Sequence, residues 1–397
     1  MVRRSCSLAV AAAILVALVA CGSSATSTSS QSGKTYKFGV LAPLTGSNAT
    51  NGATSKKGID LAVTQINNSN LLIGAKIEAV YADNQADPTV TVSAFNQLVT
   101  IDKVPLSLTS YSGPTLAIAP IAERNKVALI NIGAVTPSLA GASSYLFNAV
   151  PLITLQARAV LNYAVKTKSY KKIALYYSSD DLGKGTEADF AKYVSAAGGT
   201  YVGGVAFDPK STEYRLTLAK LQTLGPDAVY ITSTATQTGN IIAQAAGSNF
   251  KPIWMGYQSF SHEATLRVGG KDAEGGLYAT TSITDPAIGK EYPETKAFED
   301  AFTATYGAGI PDYTSYTAYE SVEIYGHALA NLIKQNKGIT GANFKSALSA
   351  LKMTSVLGPV QFQQDGTVLV PLQIKTVQNG AFVGVKTYTV ADLKKLG

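Results

Sequence analysis

From Thr35 onward the chain alternates between short runs rich in β-branched and aromatic residues and longer stretches with apolar residues at helical spacing. "YKFGVLAPL" reads as a strand, and Ile59, Ala62, Val63 and Ile66 then share one helix face. "KIEAVYADN" is the next strand, followed by Asp87 as a helix cap with Pro88 in the first turn. "VPLSLTS", a helix after Pro114 and "VALINIGA" continue the pattern. Apolar strands separated by helices predict a parallel sheet covered on both faces. The rhythm then restarts with a helix over 152–166, "KKIALYYSSD", a helix from Gly183, "TYVGGVAF", a helix over 216–224, "DAVYITST", a helix from Gln237 and "PIWMGY". A chain of 397 residues, 46% hydrophobic, carries enough apolar material for two cores, since single cores stop growing at about 250–300 residues. Two α/β lobes are therefore expected. After "GGLYATTS" come longer helical patterns, including "YTAYESVEIYGHALANLIKQ", and a strand-rich end with turns at Asp365-Gly366 and Asn379-Gly380. Helices returning after the second set predict that the chain crosses between lobes more than once.

The first twenty residues, "MVRRSCSLAVAAAILVALVA", have the form of a signal peptide: two arginines, then an apolar run too short for a membrane span. The run ends "LVAC", and a small-residue site leading into Cys21 resembles the bacterial lipobox, in which the cysteine is acylated; an ordinary cleavage site is the alternative. The Ser/Thr-rich stretch 22–34 cannot bury apolar surface and suits a flexible tether. Together these imply anchoring on the extracytoplasmic face of the cell membrane, since more than one acyl chain holds a protein firmly. The formal charge of +7 falls by two to +5 without Arg3 and Arg4. With no basic run interleaved with aromatics, nucleic-acid binding is not expected. The two cysteines are Cys6 and Cys21, so the mature domain has neither a disulfide nor a thiol nucleophile. The two histidines, His262 and His327, stand apart in sequence, and no metal, cofactor or catalytic triad is expected.

"TSYSGPTLAIAPIAE" ends a strand on a serine at the mouth of a helix. Ser112 either caps that helix or, with the free N–H groups beside it, holds an anion. The ordered set "GVLAPLTG", "DNQADP", "SGPTLAIAPIAE", "INIGAVTPSL", "AEGGLY" and "LGPVQFQQDG" resembles the type I periplasmic-binding family, in its branched-chain amino-acid-binding branch. The resemblance spans roughly residues 36 to 385. It implies two doubly wound parallel-sheet lobes joined by three crossover strands, near 148–150, 280–282 and 358–360. The first lobe would be 35–149 plus 282–357 and the second 150–281 plus 358–397, behind a leader (1–20) and a lipidated tether (21–34). It further implies a monomer that traps a small ligand where the carboxyl ends of the strands converge and delivers it to the permease of an ABC importer.

The same resemblance implies that Ser112, Gly133 and Ala134 hold the α-carboxylate of an amino acid through hydroxyl and backbone donors. Val135 stands where the family usually has a hydroxyl, with Thr136 a candidate substitute; Asn51 and Leu182 stand where it has tyrosines. Gln258, in "WMGYQSF", replaces its ammonium-binding acid. A buried ammonium without an anion is costly, so a carboxylate or neutral polar ligand competes with an amino acid. Asp180 and Asp181 are either substitutes for that acid or solvated turn residues. Thr234, Tyr111 and Tyr257 complete the candidate contacts. Phe260 and Trp254 lie nearby in sequence, Trp254 expected in the core. Strand alternation lets only one of each pair, Tyr111/Ser112 and Tyr257/Gln258, face the ligand unless the loop breaks it. An enzyme is disfavoured, because neither G-x-G-x-x-G after the first strand nor G-x-S-x-G occurs, and Gly307-Ala308-Gly309 lacks the third glycine. A ligand-sensing lipoprotein that reports to a membrane receptor has the same sequence features and stays open.

Overall fold

The computed structural model describes residues 32–281, 292–307 and 311–396. The leader, Cys21, the tether up to residue 31, Ser282 and residues 308–309 of the glycine triplet lie outside the described residues.

The first lobe is built on β1 (Thr35–Ala42), α1 (Ala49–Asn68), β2 (Lys76–Asp83), α2 (Pro88–Thr100), β3 (Leu106–Thr109), α3 (Ser112–Asn125), β4 (Ala128–Asn131) and β5 (Leu146–Asn148). The five strands run parallel in the order β2-β1-β3-β4-β5. Alternate side chains enter separate cores: Phe38, Val40 and Ile130 on one face, Leu41 and Leu129 with Phe95 and Ile118 on the other. Burial on both faces explains the unbroken apolar runs of these strands.

The second lobe follows as α4 (Ile153–Lys166), β6 (Lys172–Ser178), α5 (Asp181–Ala197), β7 (Thr200–Phe207), α6 (Arg215–Thr223), β8 (Ala228–Thr232), α7 (Ala235–Gly247), β9 (Ile253–Gly256), α8 (Glu263–Gly269) and β10 (Leu277–Thr280). Then α9 (Pro293–Tyr306), α10 (Tyr313–Lys334) and α11 (Gly341–Ser349) return to the first lobe, where Phe298, Val322, Leu329 and Phe344 pack into the core that holds Phe38. A short antiparallel hairpin, β11 (Met353–Ser355) and β12 (Gly358–Val360), comes next. Finally β13 (Leu372–Gln378) and β14 (Ala381–Tyr388) join the second sheet and α12 (Val390–Lys394) closes the chain. The second sheet has the order β14-β13-β10-β9-β8-β6-β7. It is parallel from β7 to β10, but β13 and β14 are antiparallel. The Asn379-Gly380 turn that joins them has φ of 54° and 70°, the two left-handed residues of a tight hairpin turn.

Ala149 packs in the first lobe's core and Val150 in the second's. The return passage lies between Thr281 and Tyr292, outside the described residues. The third passage does not fall at 358–360, where the sequence suggested it. Val360, Phe362, Val368 and Val370 pack in the first lobe and Leu372 and Ile374 in the second, so the chain changes lobe between Val370 and Leu372. Within the largely irregular segment 361–370, Phe362, Val368 and Val370 fill first-lobe core, while Leu369 already packs against the second lobe.

Candidate ligand-binding cleft

The carboxyl ends of β1, β3 and β4 in one lobe and of β6, β8 and β9 in the other open onto one cavity of about 270 Å³. All ten candidate contacts line it. Asn51 projects from α1, Tyr111 and Ser112 from the β3–α3 junction, and Gly133, Ala134 and Val135 from the loop after β4. Leu182, Thr234, Tyr257 and Gln258 come from the second lobe. Asp180 and Asp181 also line the wall. Phe260 does not: it is buried in the second lobe, stacked on Tyr278 with ring centroids 5.5 Å apart. Trp254 packs in the same core.

Alternation fails at both Tyr pairs because the backbone leaves the strand there. Tyr111 has φ of 67°, a strained value for a non-glycine residue, and Tyr257 leads directly into a 3₁₀ turn over Gln258–Ser261. Tyr111 and Ser112 therefore both reach the cavity, as do Tyr257 and Gln258. Asn51 Nδ2 donates to the Tyr111 hydroxyl at 3.1 Å. Burial pushes the Tyr111 phenol up to about 12, although the Asn51 bond pulls the other way, so it stays a neutral hydroxyl.

The close approach of α1 and α5 to their sheets rests on two glycines. A Cβ on Gly52 would lie 2.0 Å from the Pro43 carbonyl oxygen, and one on Gly183 would lie 1.8 Å from that of Ser178. These glycines directly follow Asn51 and Leu182 and set them at the cavity.

No side chain caps α3. The first-turn N–H groups of Ser112 and Gly113 have no partner among the described residues, and the third residue of the helix, Pro114, has no N–H. The Ser112 hydroxyl accepts from Thr136 N–H at 3.3 Å, which leaves its own proton to donate. This is the positive end of a 14-residue helix turned on a cavity. The expected roles of Gly133 and Ala134 need correction. Their N–H groups both donate to Asn131 Oδ1, at 3.1 and 2.7 Å, so neither is free for a ligand. Val135 is buried among second-lobe residues. Thr136 does not take over its role either, because its hydroxyl donates across the cleft to the Asp181 carbonyl at 2.9 Å.

On the second-lobe side Asp180 caps α5, accepting from Gly183 N–H at 3.1 Å and the Ser178 hydroxyl at 2.7 Å. The Tyr257 and Ser259 hydroxyls both donate to the Ser233 carbonyl, at 2.9 and 3.0 Å. His262, Tyr313 and Thr317 also line the cavity, and the sequence reading missed them. His262 Nε2 lies 2.9 Å from Asp312 Oδ2, a contact that ties the second lobe to the start of α10 and is an ion pair when the imidazole is protonated. Burial works against the imidazolium, but the Asp312 carboxylate outweighs it and holds His262 above its ordinary value. Burial likewise opposes the Asp312 carboxylate, yet His262 and the Thr314 N–H hold it below the usual range. Tyr313 belongs to α10 but packs in the second lobe's core, and its buried hydroxyl has no partner among the described residues. The signal for these residues was "PDYTSYT": Asp312 is a helix cap, and Tyr313 and Thr317, four apart, share a face.

Two α/β lobes that meet over a small cavity rimmed by strand ends have the architecture of a two-lobed solute-binding protein. A family model described as periplasmic binding protein matches residues 35–381, and the chain belongs to that family. It is similar to the Leu/Ile/Val-binding protein homolog 3 of Brucella melitensis, 27% identical over 290 residues, 72% of this chain and 76% of the relative. It also resembles the branched-chain amino acid transporter substrate binding protein LivJ of Streptococcus pneumoniae, solved in complex with isoleucine. That match is 25% identical, covers 90% of this chain and 100% of that one, and has a TM-score of 0.79. A solute binding protein of an ABC transporter from Rhodopseudomonas palustris, in complex with 3,4-dihydroxybenzoic acid, has the same fold at 23% identity. It covers 90% of this chain and 98% of that one, with a TM-score of 0.78.

Proposed function

We propose that the protein captures a small carboxylate-bearing solute outside the cytoplasm and delivers it to an ABC importer, held at the membrane by a lipid on Cys21. The observation that carries the ligand reading is the uncapped first turn of α3. Two N–H groups and the Ser112 hydroxyl converge on the cavity with no protein acceptor among the described residues, and such a turn attracts a carboxylate. The ligands named for the two solved relatives, isoleucine and 3,4-dihydroxybenzoic acid, share that group. A cavity of about 270 Å³ suits a solute of their size. Delivery to an importer rests on relatives named as transporter components. The lipid rests on "LVAC" and the polar tether behind it, and no described helix is long and apolar enough to cross a membrane.

Thermal unfolding of the full-length protein against amino acids, aromatic and aliphatic acids and their amides tests the ligand class. A ligand at a hundred times its Kd adds about 2.7 kcal/mol, a readily measured rise in Tm. Acids are expected to stabilise and the matching amides to do so far less; stabilisation by amides alone would reject the carboxylate anchor. Cys21→Ser is expected to move the protein from the membrane fraction to the medium or periplasm.

A further inference from the structure

Opposite the α3 terminus, the cavity wall is set by a pair of glutamines whose orientation the backbone dictates. Gln156, on α4, is fully buried and does not line the cavity. Its Oε1 accepts from the Gln258 backbone N–H at 2.9 Å, and its Nε2 donates to the Pro151 carbonyl at 2.8 Å. A backbone N–H only donates and a carbonyl only accepts, so the Gln156 amide can face one way alone. Its Nε2 also donates to Gln258 Oε1 at 3.1 Å, which fixes the second amide in turn. Gln258 is 2% exposed and lines the cavity. Its Oε1 is held against Gln156, and Nε2, with no partner among the described residues, is left to donate. Asp180, on the same lobe, has Oδ1 committed to capping α5 and to Ser178.

We infer that Gln156 and Gln258 form a relay that makes this wall a hydrogen-bond donor, so that the bound acid carries an acceptor oxygen there instead of an α-ammonium. The inference rests on the carboxylate reading above and narrows it. An ammonium has only protons to offer and would meet another donor at Gln258, so a counter-charge for it would have to come from elsewhere on the wall, where Asp180 and Asp181 lie. A hydroxyl or carbonyl oxygen at the same place accepts from Nε2. Gln258 is thereby the residue that sets specificity and Gln156 the one that positions it.

Calorimetric titration of the full-length protein with probes of matched skeleton tests this. The first set is L-leucine, 2-hydroxy-4-methylpentanoate and 4-methylpentanoate; the second is L-phenylalanine, 3-phenyllactate and 3-phenylpropanoate. In whichever skeleton fits, the hydroxy acid is expected to bind about a hundredfold tighter than the amino acid, because a site polar group left unpaired discriminates strongly. Gln258→Glu keeps one oxygen on Gln156 Nε2 and offers the other to the ligand, so it is expected to reverse that order. Gln156→Met alters no group that faces the ligand but frees the Gln258 amide to rotate, and is expected to shrink the ratio to within about tenfold. A loss of packing alone would weaken all three probes equally and leave the ratio unchanged. The relay is rejected if wild-type protein binds the amino acid as tightly as the hydroxy acid, a comparison that needs no variant to fold. If acids and amino acids bind alike, the carboxylate anchor survives and only the relay falls. If no probe of either skeleton binds, the anchor fails and takes the relay with it.

Discussion

The sequence left Ser112 between capping and anion binding; no side chain caps α3, and the geometry gives Ser112 a bond the sequence did not suggest. Its oxygen receives the Thr136 N–H while its proton remains free to donate. Ser112→Ala is expected to weaken carboxylate binding by about 1–3 kcal/mol, the value of a hydrogen bond to a charged partner, as read by calorimetric titration. An unchanged Kd would leave Ser112 with the Thr136 bond alone. At this scale the sequence picked residues that share one cavity but not their bonding. All ten candidates line the cavity, because loops at the carboxyl ends of parallel strands have nowhere else to converge. What each backbone N–H does was illegible. Asn131, inside a strand, claims two of the donors assigned to the ligand, and no spacing rule reveals that a side chain will fold back on its own loop. Phe260 misled because its neighbour Gln258 starts a 3₁₀ turn that sends the ring into the core.

Among the elements, α10 bears the most unusual chemistry. Glu320 is buried beneath the site on this helix and accepts from the Ser355 hydroxyl on β11, and Glu323 lies one turn on. Burial raises Glu320 to about 8, against the pull of Ser355. Burial, reinforced by the charge of Glu294, raises Glu323 to about 8 as well. An unfolded glutamate titrates near about 4.3, so between there and pH 8 the native chain keeps protons that the unfolded chain has lost. The stabilisation is therefore complete below the unfolded value and fades as pH rises through 8. Replacing both with glutamine is expected to leave Tm unchanged near pH 4 and to raise stability at pH 8 by on the order of a few kcal/mol. Denaturant titrations at both pH values check it, and equal offsets at the two would refute the assignment. The alternation of strand and helix through β10 was legible because each strand is apolar on both faces and each helix on one. The third passage was not, because Phe362, Val368 and Val370 fill a core from irregular chain, and such a segment has neither periodicity.

For the molecule as a whole, the two lobes touch where α5 meets the loop after β4. A Cβ on Gly185 would lie 2.5 Å from Thr136 Oγ1 and 3.3 Å from Pro137 Cδ, and that same hydroxyl donates across the cleft to the Asp181 carbonyl. Gly185→Val is therefore expected to hold the lobes apart. Affinity for any cleft ligand should fall by about tenfold or more, as for a protein whose binding-competent form is a minor population, with a larger radius of gyration in solution scattering. Tight binding with unchanged dimensions would show that the contact yields freely.

The three passages of the chain also have a temporal consequence. The first lobe is begun first and completed only at Val370, after all but the last elements of the second lobe have been made. Residues 35–148 supply its whole sheet, yet the face bearing Phe38, Val40 and Ile130 is covered by α1 on one part and on the rest only by elements that end at Val370. A chain emerging from a ribosome or a translocon therefore holds a half-clothed apolar sheet while the intervening lobe assembles. That interval is when a chaperone has something to grip, and a chain truncated before residue 370 would remain in it.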